Sequence, residues 1–460
     1  MSLLATVRRI ILPVAFLLVF FFGAAVVLAF PINSVSNFKQ TALRKLGIDH
    51  ARLIFPEVID SSRYQFSLQK DSSLNGVFQL ASVDSSNFYA LDRFSGDLYT
   101  FSLSSKSFRK KFLGNIYDQF GFLSNSAASL AGQKIDNAGN KKSVKPTIFA
   151  TAFDIDYAFG RIYMSVTLPS SNQSCTSLNL FSFATPASGD SRFKDVKLLF
   201  TSPCVLDKKN PTMWAGRITH SAKNLFLSVG EQRYDPSGFP KNDTLSTSEI
   251  SNASSVFGKV LEFSPDGTTF TIFSSGHRNA QGLYYSKDDA QLIESEHGPF
   301  GGDEVNILVK GDNYGWPFGT FGKPYPLFNT GNKDDESRSV NPSTTIDKQL
   351  AKFGAVSGSQ PGAHLPIMSW APGVGAGNIT KVQNTSSFAD WRGDILVSLM
   401  QDASLHRLIL SGKSVVFDER ISLGFRVRDF IVDDSGYLIL STDQGRLLIY
   451  RETATEFSNK

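Results

Sequence analysis

The stretch Gly276–Pro317 holds the residues of this chain best suited to chemistry. Arg278 carries a planar fork of N–H donors that suits carboxylate or quinone oxygens, and Asn279 beside it can both donate and accept hydrogen bonds. Gly298 and Pro299 form a turn whose backbone carbonyls would suit a hard cation such as calcium. The stretch therefore offers donors for an oxygen-rich ligand and acceptors for a cation.

Ionisable residues flank this turn. Asp303 and Glu304 could orient it from outside, as groups that support the ligands of a metal ion often do. In the alternative interpretation Asp303, Glu304, Glu296 and His297 only tie the loops of one structural unit together. Both interpretations are open at this point.

A second cluster of cations lies near the C-terminus, in the run Arg426-Val427-Arg428-Asp429. Because side chains alternate along an extended strand, Arg426 and Arg428 are expected on one face. Two arginines on one face can hold an anion together. The alternative is a pair of surface arginines.

Six repeats indicate which elements position these residues. Each is a short apolar strand, a polar turn and a second strand ending in small or hydroxyl residues, and no long amphipathic helical pattern interrupts the series. We predict an all-β fold, a six-bladed β-propeller with an N-terminal transmembrane helix, in which each small sheet buries its faces against the next. A decorated β-sandwich explains six recurrences less well. The paired strands are Phe88–Arg93 with Gly96–Phe101, Ala150–Phe153 with Gly160–Ser165, Gly216–Ile218 with Leu225–Val229, Gln281–Tyr285 with Gln291–Ser295, Gly377–Ile379 with Asp394–Ser398, and Arg428–Val432 with Tyr437–Ser441.

The transmembrane helix is predicted from the uncharged run Ile10–Phe30, since a bilayer crossing takes about 20 residues. Arg8 and Arg9 before it favour a cytoplasmic N-terminus. A cleaved signal peptide is the alternative, and both interpretations export the rest of the chain. We thus expect a single-pass membrane protein with an extracytoplasmic propeller, whose partners are the membrane and a membrane protein. The predicted segments are 1–9 (cytoplasmic), 10–30 (transmembrane), 31–60 (linker), 61–453 (propeller, with an insertion at 327–363) and 454–460 (tail).

The two cysteines support an oxidising compartment. Cys175 and Cys204 are equidistant from a turn-like segment, residues 186–190, with an apolar alternating stretch on each side. A hairpin centred there places them opposite each other, where they could form a disulfide. Two free thiols are the alternative. Five Asn-X-Ser/Thr triplets also agree weakly with export, beginning at Asn172, Asn242, Asn252, Asn378 and Asn384.

Composition excludes one class of ligand. The net charge is only +4 over 460 residues, and no basic stripe with interleaved aromatic residues is present. Nucleic-acid binding is therefore not expected.

The run from Gly276 to Pro317, with its Gly-His-Arg-Asn-Ala-Gln-Gly, Glu-His-Gly-Pro and Asn-Tyr-Gly-Trp-Pro motifs, resembles the soluble sugar dehydrogenases that depend on pyrroloquinoline quinone (PQQ), which oxidise glucose, other aldoses and sorbosone. Weaker similarity extends from Phe88 to Arg451. The resemblance implies a six-bladed propeller, PQQ and calcium as cofactors, and a small sugar as substrate. It also implies contacts of Arg278, Asn279, Arg426 and Arg428 with PQQ. The carbonyls of Gly298 and Pro299 would hold the calcium.

The sequence departs from this family where the reaction takes place. The family has a catalytic His shortly before a Gly-Arg pair, where this chain has Met213 before Gly216-Arg217. A thioether cannot accept a hydroxyl proton, so the general base is missing. Met400 stands where the family has a cofactor-binding Lys, and a family glutamine is replaced near Lys145. His220 is close in sequence, but we interpret it as structural.

Two functions follow from this mixture. The first is a non-catalytic or weakly active binding or assembly subunit that still holds calcium. The second is an active calcium- and PQQ-dependent aldose dehydrogenase with a substitute base.

Overall fold

The computed structural model describes residues 55–72, 74–104, 107–121, 134–135, 141–142, 150–170, 175–185, 192–206, 213–231, 252–299, 301–317, 319–322, 356–357 and 361–453. Six antiparallel sheets dominate these residues, which confirms the predicted six-bladed all-β fold. Blades 1, 2, 3 and 5 consist of strands that follow one another in the chain, as expected when a repeat forms one sheet.

The first three blades follow the first two strands, β1 (Val58–Asp60) and β2 (Gln65–Asp71). Blade 1 comprises β3 (Phe78–Ser82), β4 (Asn87–Asp92), β5 (Asp97–Ser104) and β6 (Ser107–Asn115), after which come helix α1 (Ile116–Phe120) and the pair β7 (Lys134–Ile135) and β8 (Lys141–Lys142). Blade 2 comprises β9 (Thr151–Ala158), β10 (Arg161–Pro169), β11 (Cys175–Ala184) and β12 (Lys194–Thr201), with β13 (Val205–Leu206) on β11. Blade 3 comprises β14 (Ala215–His220), β15 (Leu225–Val229), β16 (Lys259–Phe263) and β17 (Phe270–Ser275).

The other three blades complete the ring. Blade 4 comprises β18 (Ala280–Ser286), β19 (Gln291–Glu296), β20 (Asp303–Leu308) and β23 (Met368–Trp370), with the parallel pair β21 (Gly319–Thr320) and β22 (Val356–Ser357) between the last two. Blade 5 comprises β24 (Ala376–Lys381), a 3₁₀ turn (Ala389–Trp391), β25 (Ile395–Leu399), β26 (Ser404–Ser411) and β27 (Ser414–Ser422). Blade 6 comprises β28 (Val427–Asp433), β29 (Tyr437–Thr442) and β30 (Leu447–Thr453).

Strands from both ends of the chain close the ring. The N-terminal strand β2 pairs with the C-terminal strand β30, Gln65 opposite Thr453, and β1 pairs in turn with β2. Blade 6 therefore has five strands and is completed by residues that precede blade 1. Val58–Asp60 lies within the segment predicted as a linker, so the first sheet strand begins before residue 61.

Apolar side chains hold neighbouring blades together. Between blades 2 and 3, for example, Trp214, Leu227 and Phe263 are buried against Phe153 and Tyr163. Alternation along each strand supplies such residues to both faces of a blade, and only packing in a ring buries both faces.

The innermost strands of the blades surround a central channel and position the candidate site. Strands β3, β9, β14, β18, β24 and β28 each contact the next around the ring. Residues that directly precede β14, β18 and β28 therefore lie at one end of the channel. Met213, Arg278 and Arg426 occupy such positions.

The predicted disulfide is present. Cys175 and Cys204 are bonded, with their Cα atoms 5.6 Å apart, and the residues next to them pair between β11 and β13. The turn predicted between them, residues 186–190, lies outside the described residues.

Replacing Cys204 by Ser is expected to lower the free energy of unfolding by about 2–4 kcal/mol, because the bond closes a loop between residues separated by 29 positions. Urea unfolding with and without reductant measures the effect. Reductant should destabilise the natural protein and leave the variant unchanged. A natural protein that is insensitive to reductant would contradict the expectation.

The predicted membrane localisation is corrected by the structure. Among the ranges given above, no helix is long and apolar enough to cross a membrane. The α-helix α1 has 5 residues, whereas a crossing takes about 20. This finding contradicts the prediction of a single-pass membrane protein with an extracytoplasmic propeller. The proposed span Ile10–Phe30 itself lies outside the described residues.

Candidate functional site

Arg278 is the centre of the candidate site, directly before strand β18. Its Nη1 atom donates to the carbonyl oxygens of His297 and Gly298, both at 2.9 Å. Its guanidinium also lies over the indole of Trp316, 5.5 Å from the ring centroid. The backbone N–H of Arg278 donates to Glu296 at 2.6 Å, so main chain and side chain are both fixed.

Met213 lies against this guanidinium. Its Sδ is 3.8 Å from Nη2 of Arg278, so the structure brings together two residues that are 65 positions apart. The close approach of two backbones holds Met213 in place. At Gly230 a Cβ atom would lie 1.8 Å from the Met213 carbonyl oxygen, so only glycine fits there.

The two C-terminal arginines meet on one carboxylate, in agreement with the alternation read from the sequence. Arg428 donates to both oxygens of Asp443, at 2.8 and 3.0 Å. Nε of Arg426 is 3.0 Å from the same carboxylate. The side chain of Arg426 is 50% exposed and that of Arg428 20%, so both remain within reach of a ligand.

Arg93, at the end of β4, adds a further cation that the sequence analysis did not single out. Its guanidinium lies over the ring of Phe153, 4.7 Å from the centroid, and its Nε has no hydrogen-bond partner among the described residues. Burial and the nearby charge of Arg428 lower the pKa of Arg93 to about 9. The repeat Phe88–Arg93 contained this residue, but nothing local distinguishes it from an ordinary turn arginine.

The loops around the site are held by Asp303. Its carboxylate accepts hydrogen bonds from the backbone N–H of Gly298 at 2.9 Å and of Val374 at 2.8 Å, and also from those of Gly375 and Ala376. These bonds fit both interpretations of Asp303, because the carboxylate fixes the Gly298 turn and also ties it to the segment before β24.

Glu304 has different surroundings. Its side chain is buried, 3.3 Å from Asn306, in a cluster that also contains His277, Glu294 and Glu296. Burial and the charge of Glu296 raise the pKa of Glu304 well above its usual range.

His297 directly precedes Gly298, and the Nε2 atom of its imidazole is buried. Burial lowers its pKa to about 4, and the positive charges of Arg278 and Arg428 act in the same direction against the opposing effect of Asp303. The imidazole is therefore neutral at pH 7, which limits the positive charge at this end of the channel.

The predicted ligand residue Asn279 and the departure at Met400 have other contacts in the structure. The side-chain oxygen of Asn279 accepts a hydrogen bond from Gln281 at 2.9 Å. Met400 is buried and packs against Gly375 and Gly377, in the segment that Asp303 holds. Lys145 lies outside the described residues, and His220 pairs with Asp156 at the far end of β14.

The predicted calcium ligands fit calcium poorly in this arrangement. The carbonyl of Gly298 already accepts a hydrogen bond from Arg278, so a cation at that oxygen would have to lie beside a guanidinium. The positive charges of the cation and of the Arg278 guanidinium would repel each other. We therefore derive no step through calcium at Gly298 and Pro299.

Halfway along the channel, a network that the sequence analysis missed closes the ring from inside. Arg217 is buried and donates to Gln79 at 2.7 Å, to Asn378 at 2.9 Å and to Asp429 at 3.2 Å, and its Nε is 3.3 Å from Asp154. These partners come from blades 1, 5, 6 and 2. No local pattern reveals such a network, because its members are distant in sequence.

The same network shows that one of the five Asn-X-Ser/Thr triplets is not a glycosylation site. Asn378 is 7% exposed and its side-chain nitrogen donates to Asp429 and to the carbonyl oxygen of Phe430. A buried amide in the channel cannot carry a glycan.

Comparisons with known proteins agree with the fold and with the motifs. The family model described as Glucose / Sorbosone dehydrogenase matches residues 150–358 and 346–451. Aldose sugar dehydrogenase YliI of Escherichia coli is 29% identical over 244 residues, which cover 51% of this chain and 59% of the relative. Quinoprotein glucose dehydrogenase B of Acinetobacter calcoaceticus is 44% identical over 71 residues, 13% of this chain and 15% of the relative. The chain thus matches less than two thirds of the length of either curated relative.

A solved structure resembles the whole ring. The crystal structure of a glucose dehydrogenase superposes with a TM-score of 0.61 at 21% identity, covering 85% of this chain and 99% of that one. At this identity the similarity establishes the fold alone.

Proposed function

Because the chain belongs to the glucose/sorbosone dehydrogenase family, we propose that it binds PQQ at the arginine-lined end of its channel without oxidising sugars efficiently. One contact carries this proposal. The Sδ of Met213 lies 3.8 Å from the Arg278 guanidinium, at the position that the family resemblance gives to the general base.

The charges at this end of the channel support binding of such a ligand. PQQ is a flat quinone with three carboxylates. Arg93, Arg278, Arg426 and Arg428 offer four guanidinium groups there, and Asp443 pairs with the last two. An anion next to Arg93 would also offset the burial and the repulsion by Arg428 that lower the pKa of its guanidinium. Guanidinium forks bind carboxylates in pairs of parallel hydrogen bonds.

The groups around Met213 support weak or absent catalysis. When bound, the quinone supplies the hydride acceptor for an aldose. The protein must then take the proton of the sugar hydroxyl, and a thioether has no basicity for this step. His297 also lies at the site, and its imidazole is neutral at pH 7. Because its pKa is lowered to about 4, it is a poor proton acceptor.

An active dehydrogenase is the second candidate, and Glu231 favours it. Its backbone N–H donates to the carbonyl of Arg278 at 3.0 Å, and its side chain is fully buried. Burial raises the pKa of Glu231 to about 7, against the opposing effects of Arg278 and a hydrogen bond from Trp316. A carboxyl group with such a pKa can act as a base near neutral pH. If Glu231 takes that role, the natural protein should oxidise aldoses and Glu231→Gln should not.

Replacing Arg428 by Ala is expected to weaken PQQ binding by about 10- to 100-fold, the usual loss of a charge-assisted hydrogen-bonding partner. Arg428→Lys keeps the charge but not the fork, so it should bind with intermediate affinity. Calorimetric titration with PQQ measures both effects.

Arg420→Ala is the matched control. Arg420 is an exposed arginine on the outermost strand of blade 5, β27, where it pairs with Asp402. The Arg420→Ala variant should leave the affinity for PQQ unchanged. If the natural protein does not bind PQQ, or if Arg420→Ala weakens binding as much as Arg428→Ala, the proposal fails.

A further inference from the structure

A second cavity lies between blades 3 and 4, at the opposite end of the propeller from Arg278. Its volume is about 430 Å³, within the range of small-molecule sites. The turn Ser221–Asn224 borders it, directly after the end of β14 at His220. Because β14 begins beside Met213 and ends at this turn, its whole length separates the cavity from the arginine-lined site.

The interior of this cavity is apolar and aromatic. Phe226, Leu292 and Leu308 are buried at its base, and Phe273 and Tyr285 form half-buried walls. The ring of Phe226 lies parallel to that of Tyr285, with centroids 6.0 Å apart, and edge-on to that of Phe273 at 5.3 Å. Such walls favour a flat ring system, because aromatic rings pack in offset or edge-to-face arrangements.

The mouth of the cavity carries an unbalanced positive charge. Glu262 is the carboxylate among the lining residues, and it is already engaged by Asn224 at 2.6 Å and by Lys310 at 2.5 Å. Lys223 is exposed and has no ion pair among the described residues. An acidic group on a ligand would therefore find a free ammonium group there.

The acidic residues in the adjoining turn do not cancel this charge. Asp289 pairs with Lys381, and Asp288 accepts a hydrogen bond from the backbone N–H of Asn384 at 2.7 Å. Both carboxylates thus bind groups on blade 5. Ala290, which follows them, is the residue of this turn that lines the cavity.

We propose that this cavity is a second ligand site, for a small aromatic anion. The ring system of the ligand lies between Phe273 and Tyr285, and its acidic group lies at the mouth against Lys223. The hydroxyl of Tyr285 offers a further hydrogen bond. This site is independent of PQQ binding and of catalysis at the arginine-lined end.

A pair of matched fluorescent probes tests the proposal. 8-Anilinonaphthalene-1-sulfonate has the required aromatic body and negative charge, and N-phenyl-1-naphthylamine has the same body without the charge. The sulfonate should bind more tightly to the natural protein. Lys223→Glu should weaken sulfonate binding about fivefold and leave the neutral probe unchanged, because an exposed charge pair contributes modestly. Lys413→Glu reverses an exposed lysine on blade 5 and should change neither.

A second variant separates this cavity from the arginine-lined site, which could also attract a sulfonate. Ala222 is exposed and lines the cavity, so Ala222→Trp should fill its mouth and abolish binding of both probes. Ala389→Trp, at another exposed alanine, is its control. If Ala222→Trp leaves sulfonate binding intact, the probe binds elsewhere and the proposal is wrong. The proposal would also be wrong if the two probes bound the natural protein with equal affinity. The same holds if Lys413→Glu weakened sulfonate binding as much as Lys223→Glu does.

Discussion

Met213→His is expected to raise PQQ-dependent aldose oxidation by about 10²- to 10⁴-fold, the usual contribution of a general base. The variant places an imidazole where the thioether now lies 3.8 Å from the guanidinium of Arg278. That guanidinium would disfavour a charged imidazole, so the new base should be neutral and ready to accept a proton at pH 7. Reduction of an artificial electron acceptor in the presence of PQQ and an aldose measures the rate.

The control must separate the base from a general effect of histidine. Met368→His changes a half-buried methionine on β23, outside the arginine-lined site, and should give no gain. If Met213→His binds PQQ as the natural protein does and still fails to oxidise aldoses, the missing base is not the main obstacle. The double variant with Met400→Lys then tests the second departure from the family.

The outcome also decides between the two candidate functions. A natural protein that already oxidises aldoses, and loses this activity in Glu231→Gln, would establish Glu231 as the substitute base. A gain in Met213→His alone, with no effect of Glu231→Gln, would support a site that binds the quinone but has lost the proton acceptor.

Much of the fold could be predicted from the sequence because each blade is local. A blade such as β24–β27 uses consecutive residues, so apolar alternation and turns reveal it without knowledge of the rest of the chain. Alternation also predicted that Arg426 and Arg428 share a face, and both contact Asp443.

Contacts across the ring could not be predicted in this way. Arg93 and Arg217 each occur in an ordinary turn or strand sequence, and their importance depends on partners in other blades. The engagement of Gly298 by Arg278 was missed for the same reason, since a motif gives residue types and not which oxygen each donor reaches. Strand β1 was assigned to a linker because it has only 3 residues and pairs with β2, which itself joins the far end of the chain.

Arg217 is the residue whose loss should destabilise the propeller most. Its guanidinium joins Gln79, Asp154, Asn378 and Asp429, so five of the six inner strands meet at one side chain. Arg217→Met keeps the length of the side chain and removes the charge, and it leaves two buried carboxylates without their cation. Breaking a buried ion pair in this way typically costs about 3–5 kcal/mol. Urea unfolding measures the effect as a lower midpoint with an unchanged slope.

The size of this loss should depend on pH in a stated direction. Burial raises the pKa values of Asp154 and Asp429, while Arg217 opposes both shifts. Without Arg217 both values rise further. A carboxyl whose pKa is higher in the folded than in the unfolded state contributes stability at low pH and loses it as the pH rises through the folded value. The deficit of Arg217→Met should therefore be smaller at pH 5 than at pH 8.

Two further variants show whether the carboxylates cause the loss. Adding Asp154→Asn and Asp429→Asn to Arg217→Met removes the unpaired charges and should recover part of the stability at pH 8 but little at pH 5. Arg420→Met, at an exposed arginine paired with Asp402, should cost less than about 1 kcal/mol at either pH. An Arg217→Met protein as stable as this control would mean that packing between the blades, and not the ionic network in the channel, keeps the ring closed.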